Sequence, residues 1–126
     1  MTLKSTTKIA LDWAIRCFGH DHVFDHKVRS LRCAEEAIEL AQAYGISMEK
    51  MMNLVRVVYG RPDGIPYQEL GGVALTATVL AAALGWDLDH FLEAELLRVL
   101  AKPVEHFAKR NQDKVNLGLT GNGDGT

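Results

Sequence analysis

The stretch from Val73 to Leu84 reads VALTATVLAAAL and holds no charge. It falls short of the roughly 18–20 apolar residues that cross a bilayer as a helix, and Thr76, Thr78 and the glycines on either side suit the middle of a helical bundle. Leu70, Val73, Leu75, Val79 and Leu80 leave this segment no polar side to turn to water, so a chain that contains it must wrap other helices around it. The expected fold is therefore all-α, a four- to five-helix bundle centred on this fourth helix.

The other segments agree in period. Ser5 or Thr6 is placed to cap a first helix that runs to Phe18, with Gly19 as its stop. A polar loop is expected from His20 to Asp25. A second helix from about His26 carries Leu31, Ala34, Ile38 and Ala41 on one stripe and ends at Gly45, which is free to adopt the left-handed cap conformation. Ser47 caps a third, with Met51, Leu54, Val55 and Val58 at helical spacing as far as Gly60. Two prolines and a glycine in Arg61-Pro62-Asp63-Gly64-Ile65-Pro66 forbid continuation, and proline at a first helical position opens the fourth helix. Asp87 caps a fifth from Leu88 to Leu100, and Pro103 starts or kinks a last segment to about Lys114. No window alternates cleanly enough for a strand.

At 126 residues and 48% hydrophobic content, the chain suits one domain that buries about two-thirds of its unfolded surface. That domain is expected over residues 1–117, with the glycine-rich 118–126 as a flexible tail. Fourteen basic against 16 acidic residues, with no basic stripe, exclude the electrostatic footprint of a nucleic-acid duplex binder. Cys17 and Cys33 follow no CxxC pattern, and the N-terminus leads into an amphipathic segment instead of a signal-peptide core. Both point to a cytoplasmic chain without a membrane anchor, its two thiols reduced and buried.

The chemistry-bearing residues are acids. Glu35, Glu36 and Glu39 share one face of the second helix, because residues three and four apart lie within about 60° of each other. Arg32, one turn upstream, offsets part of their repulsion. Glu69 stands at the head of the apolar fourth helix, where a carboxylate gains from the helix dipole or joins the other acids on a shared cation. Hard oxygen donors of this kind suit Mg²⁺ or Mn²⁺, which keep water in the shell and meet phosphate oxygens. His20, His22 and His26 lack zinc-ligand spacing, and Gly121-x-Gly123-x-Gly125 does not open a helix after a strand. Trp13, Tyr44, Tyr59, Tyr67 and Trp86 fit a core or an oligomer seam better than a base-stacking platform.

Glu35-Glu36-x-x-Glu39 followed by Glu69-Leu70-Gly71-Gly72-Val73 resembles the EExxE and ExxD signature of the all-α nucleoside triphosphate pyrophosphohydrolases, the MazG-like group that also includes phosphoribosyl-ATP pyrophosphohydrolase and dimeric dUTPases. The likeness runs in element order from about Val28 to Gly118. It implies a bundle assembled as a homodimer or homotetramer that binds Mg²⁺ and cleaves a nucleotide between its α- and β-phosphates. In that pattern Glu36, Glu39 and Glu69 match metal ligands. Glu35 matches the first acid of the pair, and Glu35 or Glu39 would draw the proton from the attacking water. Lys109, Arg110, Asn111 and Lys114 resemble the basic group that holds substrate phosphates, although the same residues complement a helix C-terminus.

The chain departs from the signature at Gly72, which stands where the family has aspartate, so one ligand is missing. That departure supports the alternative of a catalytically silent helical assembly or nucleotide-binding module. Adjacent helix glycines cost about 1 kcal/mol each relative to alanine, which points to something approaching the backbone closely at Gly71 and Gly72. The apolar fourth helix independently calls for at least a dimer.

Overall fold

A computed structural model of the chain describes residues 2–119. It is all-helical: α1 (Leu3–Phe18), α2 (His20–Val23), α3 (His26–Ala43), α4 (Met48–Tyr59), α5 (Pro66–Ala83), α6 (Leu88–Leu100) and α7 (Val104–Asn116), with no strand among the described residues. The expected tail lies outside the described residues from Thr120 onward. No single described helix is long and apolar enough to cross a membrane.

Local chemistry explains most of the boundaries. Ser47 Oγ accepts the Lys50 amide at 3.1 Å and opens α4, and Pro66 opens α5 where its missing N–H has no intrahelical partner to lose. Gly45 turns the chain after α3 at φ +81°, a conformation that a β-carbon would strain. Two expectations are corrected. The first helix begins at Leu3, because Thr2 and not Ser5 or Thr6 caps it, its hydroxyl accepting the Ser5 amide. The expected loop from His20 to Asp25 contains the single helical turn α2, too short to show a period in sequence. Asp25 follows it and caps α3, its carboxylate accepting the Lys27 and Val28 amides at 3.1 and 3.3 Å.

The described residues divide into two compact units, 2–37 with 93–119, and Ile38–Leu92. The first has a defined core. Cys17, Leu96, Val99 and Phe107 are buried together, with Ile9, Trp13, Phe18 and Val104 packed against them. Trp13 meets Phe18 and Phe107 edge-to-face, at centroid distances of 5.6 and 5.1 Å, the geometry that the ring quadrupoles favour. Burial pushes the Cys17 thiol above its ordinary pKa, which keeps it protonated. Cys33, expected to be buried as well, is exposed.

In the second unit only Ala81 is buried. Its α5 is apolar around its whole circumference, as the sequence requires, yet Leu70, Val73, Leu75 and Val79 are each more than half exposed.

Candidate functional site

Within the first unit, four helices surround a cavity of about 110 Å³. Trp13 and Phe18 reach it from α1, Arg32 and Glu36 from α3, Glu95, Arg98 and Val99 from α6, and Phe107, Arg110, Asn111 and Lys114 from α7. Four cationic side chains therefore face two carboxylates over an aromatic floor. The folded chain thus brings Glu36, one of the expected metal ligands, to the same cavity as Arg110, Asn111 and Lys114, three of the expected phosphate-binding residues.

Helical spacing makes this possible from both sides. Arg32 and Glu36 are one turn apart on α3, and Arg110, Asn111 and Lys114 occupy one face of α7 at i, i+1 and i+4. The amphipathic character of α7 turns Phe107 into the core and leaves the next turns of the same face to the cavity. Lys109, the fourth expected phosphate ligand, is exposed and does not line it.

Polar contacts hold these groups in place. Glu35 is not part of the lining. Its carboxylate accepts Arg32 Nη1 at 2.6 Å through one oxygen and pairs with Lys114 Nζ at 3.0 Å through the other. Each of its oxygens therefore already faces a cation, and the residue acts as a strut between α3 and α7. Asn111 Oδ1 lies 3.1 Å from His22 Nε2, and in the Nε2–H tautomer the ring donates to the amide and fixes which way it faces. Arg98 forks onto Glu95, donating from Nε at 2.9 Å and from Nη2 to the other oxygen. This hydrogen bonding from Arg98 holds the Glu95 carboxyl below its ordinary pKa, and Glu95 followed by Glu36 holds the guanidinium charged.

Glu95, Arg98 and Trp13 have no place in the motif reading of the sequence. The first two carry a signal that could have found them, an acid and an arginine at i, i+3 on one helix, the spacing that also pairs Arg32 with Glu35. Trp13 has none. Its Nε1 is buried without a hydrogen-bond partner among the described residues, which leaves an indole donor unsatisfied beside the cavity.

The remaining expected residues lie elsewhere. Glu39 is exposed on α3, one turn beyond Glu36. Glu69 belongs to the second unit, on the first turn of α5, where it helps to line a surface depression with Arg61 and Asp63. Its carboxylate folds back over Gly64 so closely that a β-carbon there would overlap Oε1. Gly71 and Gly72 have nothing within 4 Å of where a β-carbon would stand, so none of the described residues makes the expected close approach. Among the described residues no group of three or more histidine, cysteine, aspartate or glutamate side chains is arranged to hold a metal ion.

Comparison with known families, characterised proteins and solved structures finds no match.

Proposed function

We propose that this chain is a Mg²⁺-dependent nucleotide pyrophosphohydrolase that cleaves a nucleoside triphosphate between its α- and β-phosphates, with the cavity of the first unit as its phosphate-binding part. The carrying observation is the meeting of Glu36 with Arg110, Asn111 and Lys114 around one space. A volume of about 110 Å³ is small against the ~300–1,000 Å³ of typical small-molecule pockets. It takes a few waters' worth of ligand at about 30 Å³ each, which suits a phosphoryl group and leaves sugar and base outside.

The donor chemistry is compatible with magnesium in one respect. Mg²⁺ commonly takes only one or two carboxylates when phosphate oxygens and water complete its octahedron. Glu36 at the cavity supplies one such carboxylate, and Glu39 and Glu69 are the further acids that the resemblance assigns. Bound there, the ion would neutralise charge developing on the phosphate oxygens. The chain's own residues do the rest. Arg110 and Lys114, with Arg32 and Arg98, hold the phosphates by charge-assisted hydrogen bonds, and Asn111, oriented by His22, adds an amide donor or acceptor. Glu39 takes the proton of the attacking water, since both oxygens of the other candidate, Glu35, already face cations.

A second reading, a nucleotide-binding module without turnover, is favoured by Gly72 in place of aspartate and by the excess of cations over acids around the cavity. Incubating the full chain with a panel of nucleoside triphosphates in Mg²⁺ or Mn²⁺ separates the two. The hydrolase releases pyrophosphate and a monophosphate from at least one of them, and Glu36→Gln lowers that release at least a hundredfold. A nucleotide-dependent rise in melting temperature without release selects the binding module. Neither release nor a melting shift removes both readings.

A further inference from the structure

We propose that Glu95 is a displaceable stand-in for the ligand: its carboxylate holds the Arg98 fork in the unliganded chain, yields it to an entering phosphoryl group, and by competing for it hastens that group's release. The inference deepens the phosphate reading of the cavity and rests on it. Three observations carry it.

The first is the pairing of charges around the cavity. Of its four cations, Arg32 and Lys114 share the Glu35 carboxylate and Arg98 is taken by Glu95, while Arg110 has no carboxylate within salt-bridge distance among the described residues. A phosphate held by more than Arg110 must therefore share a cation that already has a partner, or displace that partner.

The second is which pair can open. Glu35 joins α3 to α7 and is 27% exposed, so withdrawing it would unfasten two helices. Glu95 differs in each respect. It lines the cavity itself, pairs one turn away within α6 and is 57% exposed, so its side chain can turn to water while breaking no ion pair or hydrogen bond between helices among the described residues. Leu96 and Val99, buried in the core, keep α6 in place meanwhile.

The third is likeness of geometry. Arg98 donates from Nε to one oxygen of Glu95 at 2.9 Å and from Nη2 to the other, and the planar guanidinium edge that grips a carboxylate in this way grips two phosphate oxygens equally well. Glu95 and a phosphate thus compete for one edge. A carboxylate tethered one turn away competes at an effective concentration of about millimolar, which weakens phosphate binding without blocking it.

The test titrates the full chain with inorganic pyrophosphate by calorimetry, in EDTA so that no metal contributes, alongside Glu95→Gln, Arg98→Gln and the double variant. Both side chains are more than half exposed, so all three are expected to fold, which melting curves check. Glu95→Gln is expected to bind pyrophosphate about three- to fivefold more tightly than wild type, and the double variant no more tightly than Arg98→Gln alone. In the wild type, the Arg98 Nε resonance should shift on adding pyrophosphate, a readout independent of any substitution. Equal or weaker binding by Glu95→Gln overturns the proposal while wild-type binding upholds the phosphate reading, because Glu95 then merely holds Arg98 in position. A gain that persists without Arg98 overturns it too, since it would come from the removal of a charge at a distance, and so does an unmoved Arg98 resonance. Absence of binding in wild type and Glu95→Gln alike removes both the proposal and the phosphate reading.

Discussion

Lys114 Nζ lies 3.0 Å from Oε2 of Glu35, and Arg32 takes the other oxygen at 2.6 Å, so a single carboxylate fastens the last helix to the third. The contact joins two residues singled out for different tasks, one as a possible base and the other as a phosphate ligand. Their pairing holds Lys114 at the cavity, and under the proposed function this spares the phosphates the cost of ordering a flexible side chain during binding.

Breaking the pair measures its worth. The two side chains are 14% and 27% exposed, between the surface regime of about 0.2–1 kcal/mol and the buried one of about 3–5 kcal/mol. Lys114→Met keeps the aliphatic stem and removes the charge, and is expected to lower unfolding stability by about 1–2 kcal/mol in a urea titration. Glu35→Gln should do the same, and the double variant should lose about 1 kcal/mol less than the sum of the two. Additive losses would show that the residues do not couple.

The Glu95–Arg98 fork sets a pH dependence. Hydrogen bonding from Arg98 depresses the Glu95 pKa, so the folded state holds this proton less tightly than the unfolded chain. Its stabilising contribution is present above the unfolded pKa of about 4.5 and disappears as pH falls through the lower folded value. Both side chains are more than half exposed, so solvent screens the effect and it is small. Urea midpoints of wild type and Glu95→Gln should differ at pH 6 in favour of wild type and converge below pH 4. A gap that persists at pH 3 would assign the difference to packing.

Gly64 and Glu69 separate stability from activity. A β-carbon at Gly64 would displace the Glu69 carboxylate, the far end of a flexible side chain, so relief is cheap and the loss of chain entropy in the unfolded state offsets it. Gly64→Ala is expected to melt within a few degrees of wild type. Under the hydrolase reading it should nevertheless reduce pyrophosphate release at least threefold, because Glu69 can no longer stand where it does. Unchanged release in Gly64→Ala, together with full activity in Glu69→Gln, would remove Glu69 from the site.

Legibility in sequence follows the range of each interaction. Ser47, Gly45 and Pro66 announce their boundaries because capping and backbone restriction act within three or four residues. Four residues of α2 are too few to show a period, and Thr2 caps α1 with Ser5 offering equally suitable chemistry nearby. The cavity was half visible. Glu36, Arg110, Asn111 and Lys114 stand out by residue type, but that α6 lays Glu95 and Arg98 beside them is a tertiary fact. The double pairing of Glu35 is equally unreadable, since Lys114 is distant in sequence and no local rule links them. At Gly71 and Gly72 the signal is present, but the approach it calls for is not made within the described chain.

Arg29 offers a stabilising change. Its Nε and Nη2 are buried without a hydrogen-bond partner among the described residues, and together they form the edge of the guanidinium that ordinarily grips a carboxylate. Burial, reinforced by the charge of Arg32, pulls its pKa below the usual arginine range, so the fold carries a poorly solvated charge there. The compensation is a cation–π contact, with Cζ 5.2 Å from the Phe18 ring centroid, worth about 0.5–2 kcal/mol. Two orphaned donors cost more, at about 1–3 kcal/mol for each unsatisfied group. Arg29→Met retains an unbranched side chain against Phe18 and removes charge and donors together, a replacement that is often neutral or stabilising at buried ionic sites. Its unfolding free energy is expected to equal that of wild type or exceed it by about 1 kcal/mol, measured in urea at pH 7. A loss of 2 kcal/mol or more would mean that the guanidinium has an acceptor in solution, and a matching loss of nucleotide-dependent melting shift would identify that acceptor as part of the phosphate site.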